Sequence, residues 1–300
     1  MENKPFAFWN KIFGSFVFLI ALLTYWLTVE PTASFWDAGE YISTAAKLQV
    51  GHPPGAPLFQ MIGAFFALFA SNAEKVALMV NLMSVFSSAF TILFLFFTIT
   101  LLFDKLFNFE SYKSLVDKLC FFGSASVGAL ALCFSDSFWF NAVEAEVYAM
   151  ATLILSILFY LALKWEKEMN TPRGDRWLLL IAFVIGLSFG VHFMGLLTIP
   201  AIGMLYYFKN YKVITLKGFI IANFISTAIL LFIFKLLLPL TLSFFGNAEV
   251  YVVNEIGLPF NSGTIIAAII IISFFYFSLK YTTSKKWVNT NTGLLCILFV

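Results

Sequence analysis

The sequence predicts an all-α fold, a polytopic bundle of about nine transmembrane helices. Three observations carry that expectation. Hydrophobic residues make up 61% of the chain and charged residues 11%, with a mean hydropathy of +0.92, whereas about a quarter of a soluble globular domain is charged. Apolar runs repeatedly approach the roughly 20 residues a helix needs to cross the hydrocarbon core. The basic residues also segregate: threaded from an N-terminus inside, 15 of the 18 Lys and Arg fall on one side of the membrane, as the positive-inside rule requires.

Candidate spans lie near 12–29, 77–103, 119–135, 147–163, 177–191, 193–208, 218–240, 264–279 and 288–300. A basic N-terminal region precedes the first, which raises a cleaved signal peptide. The run is long and has no A-x-A site after it, which favours an uncleaved first span. The connection from Glu30 to Ala73 is too long for a plain hairpin. Within it, 37–50 reads as a helix with Tyr41, Ala45 and Leu48 on its apolar face. After Pro53-Pro54, the stretch 57–70 is apolar but short, the length of a re-entrant or interfacial helix. The connection 135–148 is aromatic and acidic, and Phe138, Trp139 and Phe140 suit an interfacial belt. Spans five and six are short and meet in a tight hairpin around His192. The stretch 241–263 reads as an extended segment closed by a turn.

The inner connections are basic and short, with Pro172-Arg173-Gly174-Asp175 as a plain turn. Cys120, Cys133 and Cys296 fall in apolar helices and read as small core residues. The first two are separated by roughly 20 Å along one helix, too far for a disulfide. There is no internal repeat, and 1–300 reads as a single transmembrane domain. The chain ends inside the apolar run Leu295–Val300, which leads us to expect a longer protein.

Ionisable groups at a membrane face are costly to hold and point to function. Nine of the 16 acids (Glu30, Asp37, Glu40, Glu74, Asp136, Glu144, Glu146, Glu249 and Glu255) thread to the outer side. The densest chemistry is Phe35-Trp36-Asp37-Ala38-Gly39-Glu40 followed by Gly51-His52-Pro53-Pro54-Gly55. On a helix Asp37 and Glu40 project to one face, where a carboxylate can act as a general base or bind a metal. The competing reading makes Asp37 the cap of its helix, with Glu40 completing a capping box. His52 is held extended by the prolines after it. His192 either bonds a neighbouring helix or faces a bound phosphate. Glu144 and Glu146 share a face only in extended chain, so one is expected toward the site and the other toward solvent. Lys235 snorkels to headgroups or pairs with an outer acid or a lipid phosphate. No Walker loop, Cys/His metal run or basic patch is present, so nucleic acid is not an expected partner.

With these residues laid out, the chain resembles a bacterial family of multi-pass membrane proteins of formerly unknown function. That family is similar to protein O-mannosyltransferases and to GT-C glycosyltransferases generally. The resemblance rests on Phe35–Glu40, Gly51–Leu58, Phe138–Tyr148, Gly186–His192 and Gly257–Gly263 in order along the chain. It implies a GT-C-like bundle in the bacterial inner membrane that takes sugar from a polyprenyl-phosphate carrier and inverts the anomeric centre. The acceptor would be a hydroxyl, such as Ser or Thr of an exported protein, on the extracytoplasmic face. By position it implies Asp37 as the base with Glu40 beside it; Trp36, His52, Glu144, Glu146, His192 and Lys235 are the candidate substrate-binding residues. An Asp-x-Asp pair is lacking, so neither a metal nor another cofactor is expected beyond the lipid-linked donor. A transporter or flippase of lipid-linked or small polar substrates is the alternative, and a scaffold subunit the third reading. Against transport, the polar groups cluster at one face and no repeat is visible.

Overall fold

The computed structural model describes residues 4–112, 114–171 and 173–300, and all regular structure among them is helical. Lys113 and Pro172, the first residue of the turn expected at 172–175, lie outside the described residues. In chain order the helices are α1 (Lys4–Leu27), α2 (Ala38–Lys47), α3 (Pro57–Ala67), α4 (Val76–Phe107), α5 (Leu115–Cys133), α6 (Asp136–Ala142), α7 (Val147–Glu168), α8 (Gly174–Phe189), α9 (Thr198–Asn210), α10 (Leu216–Phe232), α11 (Leu238–Asn254), α12 (Ser262–Ser284) and α13 (Val288–Phe299).

Polar caps set several starts by satisfying first-turn amides. Ser114 Oγ accepts from Asp117 N at the head of α5. Thr215 Oγ1 accepts from Gly218 N at the head of α10. Asn72 Oδ1 accepts from Lys75 N in the 3₁₀ turn that leads into α4. Among the described residues, six helical stretches are long and apolar enough to cross a membrane: Pro5–Leu27, Ala73–Phe107, Leu115–Cys133, Val147–Glu168, Leu216–Asn254 and Ser262–Ser284. They coincide with six of the nine expected spans. The other three correspond to α8, α9 and α13, with 16, 13 and 12 residues. The chain is an integral membrane protein built as a helical bundle.

The chain forms two compact units, residues 1–164 with 184–195, and residues 165–183 with 196–300. In the first, α1, α4 and α5 pack around Val17, Ala21, Tyr25, Val85, Ala89, Ile92, Phe96, Phe122, Ala125 and Ala129. The small residues in this set allow close helix approach where lipid offers no hydrophobic drive. At one end, Phe6 meets Phe109, Phe121 and Phe122. At the other, Tyr25 OH donates to Cys133 O and Trp139 Nε1 donates to Thr28 Oγ1. This second end therefore gathers the connections 28–75 and 134–146. Helix α3 is anchored there by its first amides, since Leu58 N and Phe59 N both donate to Gly190 O at 2.7 and 3.1 Å.

In the second unit, α10 and α11 form one 39-residue stretch through a π turn at Ile233–Leu237. This corrects the expected extended segment over 241–254, which is helix. The reason is local: Pro239 lacks an N–H and would press on the carbonyl four residues back. The wider π turn relieves that conflict without ending the helix. Glu249 then ties α11 to α12, accepting from Asn261 N, Thr264 N and Thr264 Oγ1.

Two smaller expectations are also corrected. Tyr41 and Ala45 are buried, but Leu48 is exposed because the helix ends before it, in a left-handed residue. Cys120 is exposed on the surface of α5 rather than in the core.

Candidate functional site

The first unit brings the acid-rich motifs together from four stretches of chain. Asp37 occupies the position before α2, yet its side chain makes no capping hydrogen bond. Glu40 does not reach back to complete a capping box either. Its carboxylate accepts from His52 N at 2.6 Å and lies 3.1 Å from His52 Nδ1. The other ring nitrogen, Nε2, stands 3.9 Å from Asp37 Oδ2. His52 is thus flanked by two carboxylates, and among the described residues the Asp37 carboxylate accepts no hydrogen bond. The capping reading of this pair is overturned, because Glu40 is spent on the histidine.

Charge follows this geometry. The His52 main-chain amide and ring hold the Glu40 carboxyl below its ordinary range. In return, the Glu40 hydrogen bond, with the charges of Glu40, Asp37 and Glu146, holds the His52 imidazole above its ordinary value. The candidate ligand atoms of Asp37, Glu40 and His52 all lie within 4.8 Å of one another, on exposed residues. That spacing could hold a metal ion.

Behind this pair lie two buried acids. Glu144 and Glu146 are 3% and 5% exposed, which corrects the expectation that one would face solvent. The turn between α6 and α7 folds both inward. Ser34 Oγ donates to Glu144 Oε2 and Asp37 N donates to Glu146 Oε1 at 3.2 Å. Burial raises the Glu144 carboxyl. Burial, then the charges of Asp37 and Glu144, push Glu146 up to about 7.

Tyr41 connects the parts. Its buried ring lies 5.8 Å from the His52 ring and 5.1 Å from that of Phe59. Burial, then the charges of Glu146, Asp37, Glu40 and Tyr148, push its hydroxyl up to about 12. The His192 ring is 5.6 Å from that of Tyr148, and burial lowers its basicity. Met194 N donates to His192 Nδ1 at 3.2 Å, which leaves Nε2 as the protonated nitrogen of the neutral ring. Trp36 is 86% exposed with a left-handed φ of 60°, a conformation that a bulky residue holds only under constraint. Lys235 belongs to the second unit, in its π turn, with Nζ 5.0 Å from the Phe234 ring centroid.

Residue-by-residue reading missed Tyr41 as a polar member of the site, along with Tyr148, Ser34, Gln60 and Asn81. Gln60 and Asn81 carried a signal, being isolated amides in apolar helices. Gln60 Nε2 donates to Thr44 Oγ1 behind Glu40. Asn81 Nδ2 donates to Glu30 O and Thr32 O.

Fold and site together define a polytopic helical membrane protein with a carboxylate–histidine cluster at one end of a bundle. The family described as "Protein O-mannosyl-transferase TMEM260 N-terminal domain" matches residues 37–215, from Asp37 onward. The chain belongs to this family. A Dictyostelium discoideum protein named protein O-mannosyl-transferase tmem260 is 26% identical over 162 residues, covering 54% of this chain and 18% of that protein. Its Mus musculus namesake is 28% identical over 176 residues, covering 57% of this chain and 22% of its own length. The chain thus matches about a fifth of each of these curated relatives. No solved structure matches it significantly.

Proposed function

We propose that this chain carries the reaction centre of a GT-C-type membrane glycosyltransferase. It moves a mannose-like sugar from a polyprenyl-phosphate to a hydroxyl, Ser or Thr of an exported protein, outside the bacterial inner membrane. The observation that carries this reading is the Asp37 carboxylate, which is neither used to cap its own helix nor hydrogen-bonded among the described residues. Asp37 takes the proton of the acceptor hydroxyl as that oxygen bonds the anomeric carbon. The bond from that carbon to the carrier phosphate breaks on the opposite face, so the configuration inverts. The departing phosphate needs positive charge and donors, and this reading assigns His192 Nε2–H as a donor, since both His52 ring nitrogens face the carboxylates of Glu40 and Asp37. Glu40 orients His52 and favours its protonated form. The scheme is written without a divalent metal, and the EDTA arm of the test below checks that choice. The relatives' printed names, both O-mannosyl-transferases, support the sugar and the reaction class.

The test is transfer from polyprenyl-phosphate mannose to a Ser/Thr peptide in proteoliposomes with EDTA present. Loss of a positioned base costs about 10²–10⁴-fold, so Asp37→Asn is expected to fall by that factor. Full transfer by Asp37→Asn overturns Asp37 as the base. A transporter reading instead predicts carrier flux that Asp37→Asn abolishes, with no sugar transfer by the wild type.

A further inference from the structure

Glu144 and Glu146 are too deeply buried to be explained as surface ligands, and their carboxylates meet one stretch of chain, Glu144 at the Ser34 hydroxyl and Glu146 at the Asp37 amide. That stretch, 28–37, is held from two sides. From the turn before α7, Val143 O accepts from Glu30 N at 3.0 Å, Glu144 accepts from Ser34 Oγ, and Glu146 accepts from Asp37 N. From α4, Asn81 Nδ2 donates to Glu30 O at 2.7 Å and Thr32 O at 2.9 Å. The pinned residues Ser34 and Asp37 bracket Phe35 and Trp36, both more than 80% exposed. Between two fixed ends the left-handed Trp36 has no cheap way to relax.

We propose that Glu146, assisted by Glu144, is a positioning residue that fixes the main chain of Asp37 and so sets where the Asp37 carboxylate and the Trp36 indole stand. The proposal rests on the reading of Asp37 as the base, and it replaces the direct substrate contact expected for the two glutamates. A carboxyl that titrates near 7 keeps an acceptor oxygen for the Asp37 amide in both protonation states. Glutamine keeps that oxygen too, while alanine removes it.

Two measurements on the full chain in nanodiscs separate the possibilities: hydrogen exchange over 30–38, and transfer kinetics with polyprenyl-phosphate mannose. Glu146→Ala is expected to speed exchange at 34–38 about tenfold, the loss of one charge-assisted hydrogen bond. Its kcat is expected to fall on the order of 10²-fold, the cost of a misplaced reacting group, with the donor KM unchanged. Glu146→Gln is expected to keep both exchange and kcat near wild type, and Ser34→Ala to loosen 30–36. Unchanged exchange in Glu146→Ala overturns the clamp. A raised donor KM in Glu146→Gln also overturns it, by making Glu146 a substrate contact. Should Glu146→Ala not fold, Glu146→Gln and Ser34→Ala decide. If the wild type transfers no sugar, the reaction assigned above falls, and the exchange data alone decide the clamp.

Discussion

His52 presents one ring nitrogen to each of two carboxylates, and the distances divide their labour. Glu40, at 3.1 Å, is the partner that holds the ring. Asp37, at 3.9 Å, remains open to another group. The sign of the pH effect follows. The folded-state pKa of His52 lies above its ordinary 6.5, so the stabilisation by Glu40 is fully present below 6.5 and is lost as pH rises through the higher value. If transfer needs the protonated ring beside Asp37, it declines on that same alkaline limb. Glu40→Gln removes the largest cause of the shift, so the limb is expected to move to lower pH, as a pH–rate profile of the two proteins would reveal. An unmoved limb assigns it to another group. The motif residues of this pair were legible in the sequence because Asp37 and Glu40 share a helix face and His52 opens the His-Pro-Pro-Gly turn. The division of roles was not, since a capping box and a carboxylate–histidine pair need the same residues at the same spacing.

Among the elements, α3 is the one whose placement the site depends on most. At 11 residues it spans about 16 Å, about half the hydrocarbon thickness. It is held by its buried face and by the two amides on Gly190 O. A Cβ at Gly190 would lie 2.7 Å from Leu58 Cβ and 3.2 Å from Leu58 N, both on the backbone or next to it, so little can yield. Gly190→Ala is therefore expected to push the start of α3 off the end of α8. The cost is about 1–3 kcal/mol, as for overpacking elsewhere, and exchange at the amides of 58–60 should quicken while the α1–α4–α5 core stays protected. Unchanged exchange there means that the anchor lies elsewhere. The existence of α2 and α3 was readable from apolar periodicity and from the Pro53-Pro54 break. The helix over 241–254 was not, because a proline and a glycine in an apolar run look like an ending unless the π turn before them is foreseen.

On the scale of the whole chain, charge polarity and local geometry point the same way. In the first unit, the end holding the site carries Glu30, Asp37, Glu40, Glu74, Asp136, Glu144 and Glu146 against Lys47 and Lys75. The far end carries Lys11, Lys105, Lys118 and Lys164 against Asp104, Glu110 and Asp117, next to the Phe6–Phe109 contact. That asymmetry was visible in sequence, because it depends only on the order of spans. What sequence could not supply is that Ser34 and Glu144, 110 residues apart, close one strap at the acidic end. Positive charge is retained on the cytoplasmic side during insertion, so the acidic end should face away from the cytoplasm. Exposed Ser71 and Ser111 mark the two ends, and single cysteines placed there in a cysteine-free background make the orientation measurable. A membrane-impermeant maleimide added to intact cells is expected to label Ser71→Cys, and to reach Ser111→Cys only after permeabilisation. The reverse pattern would turn the site toward the cytoplasm, where an exported acceptor never meets it, and the proposed substrate would fall while the geometry of Asp37, Glu40 and His52 stayed as it is.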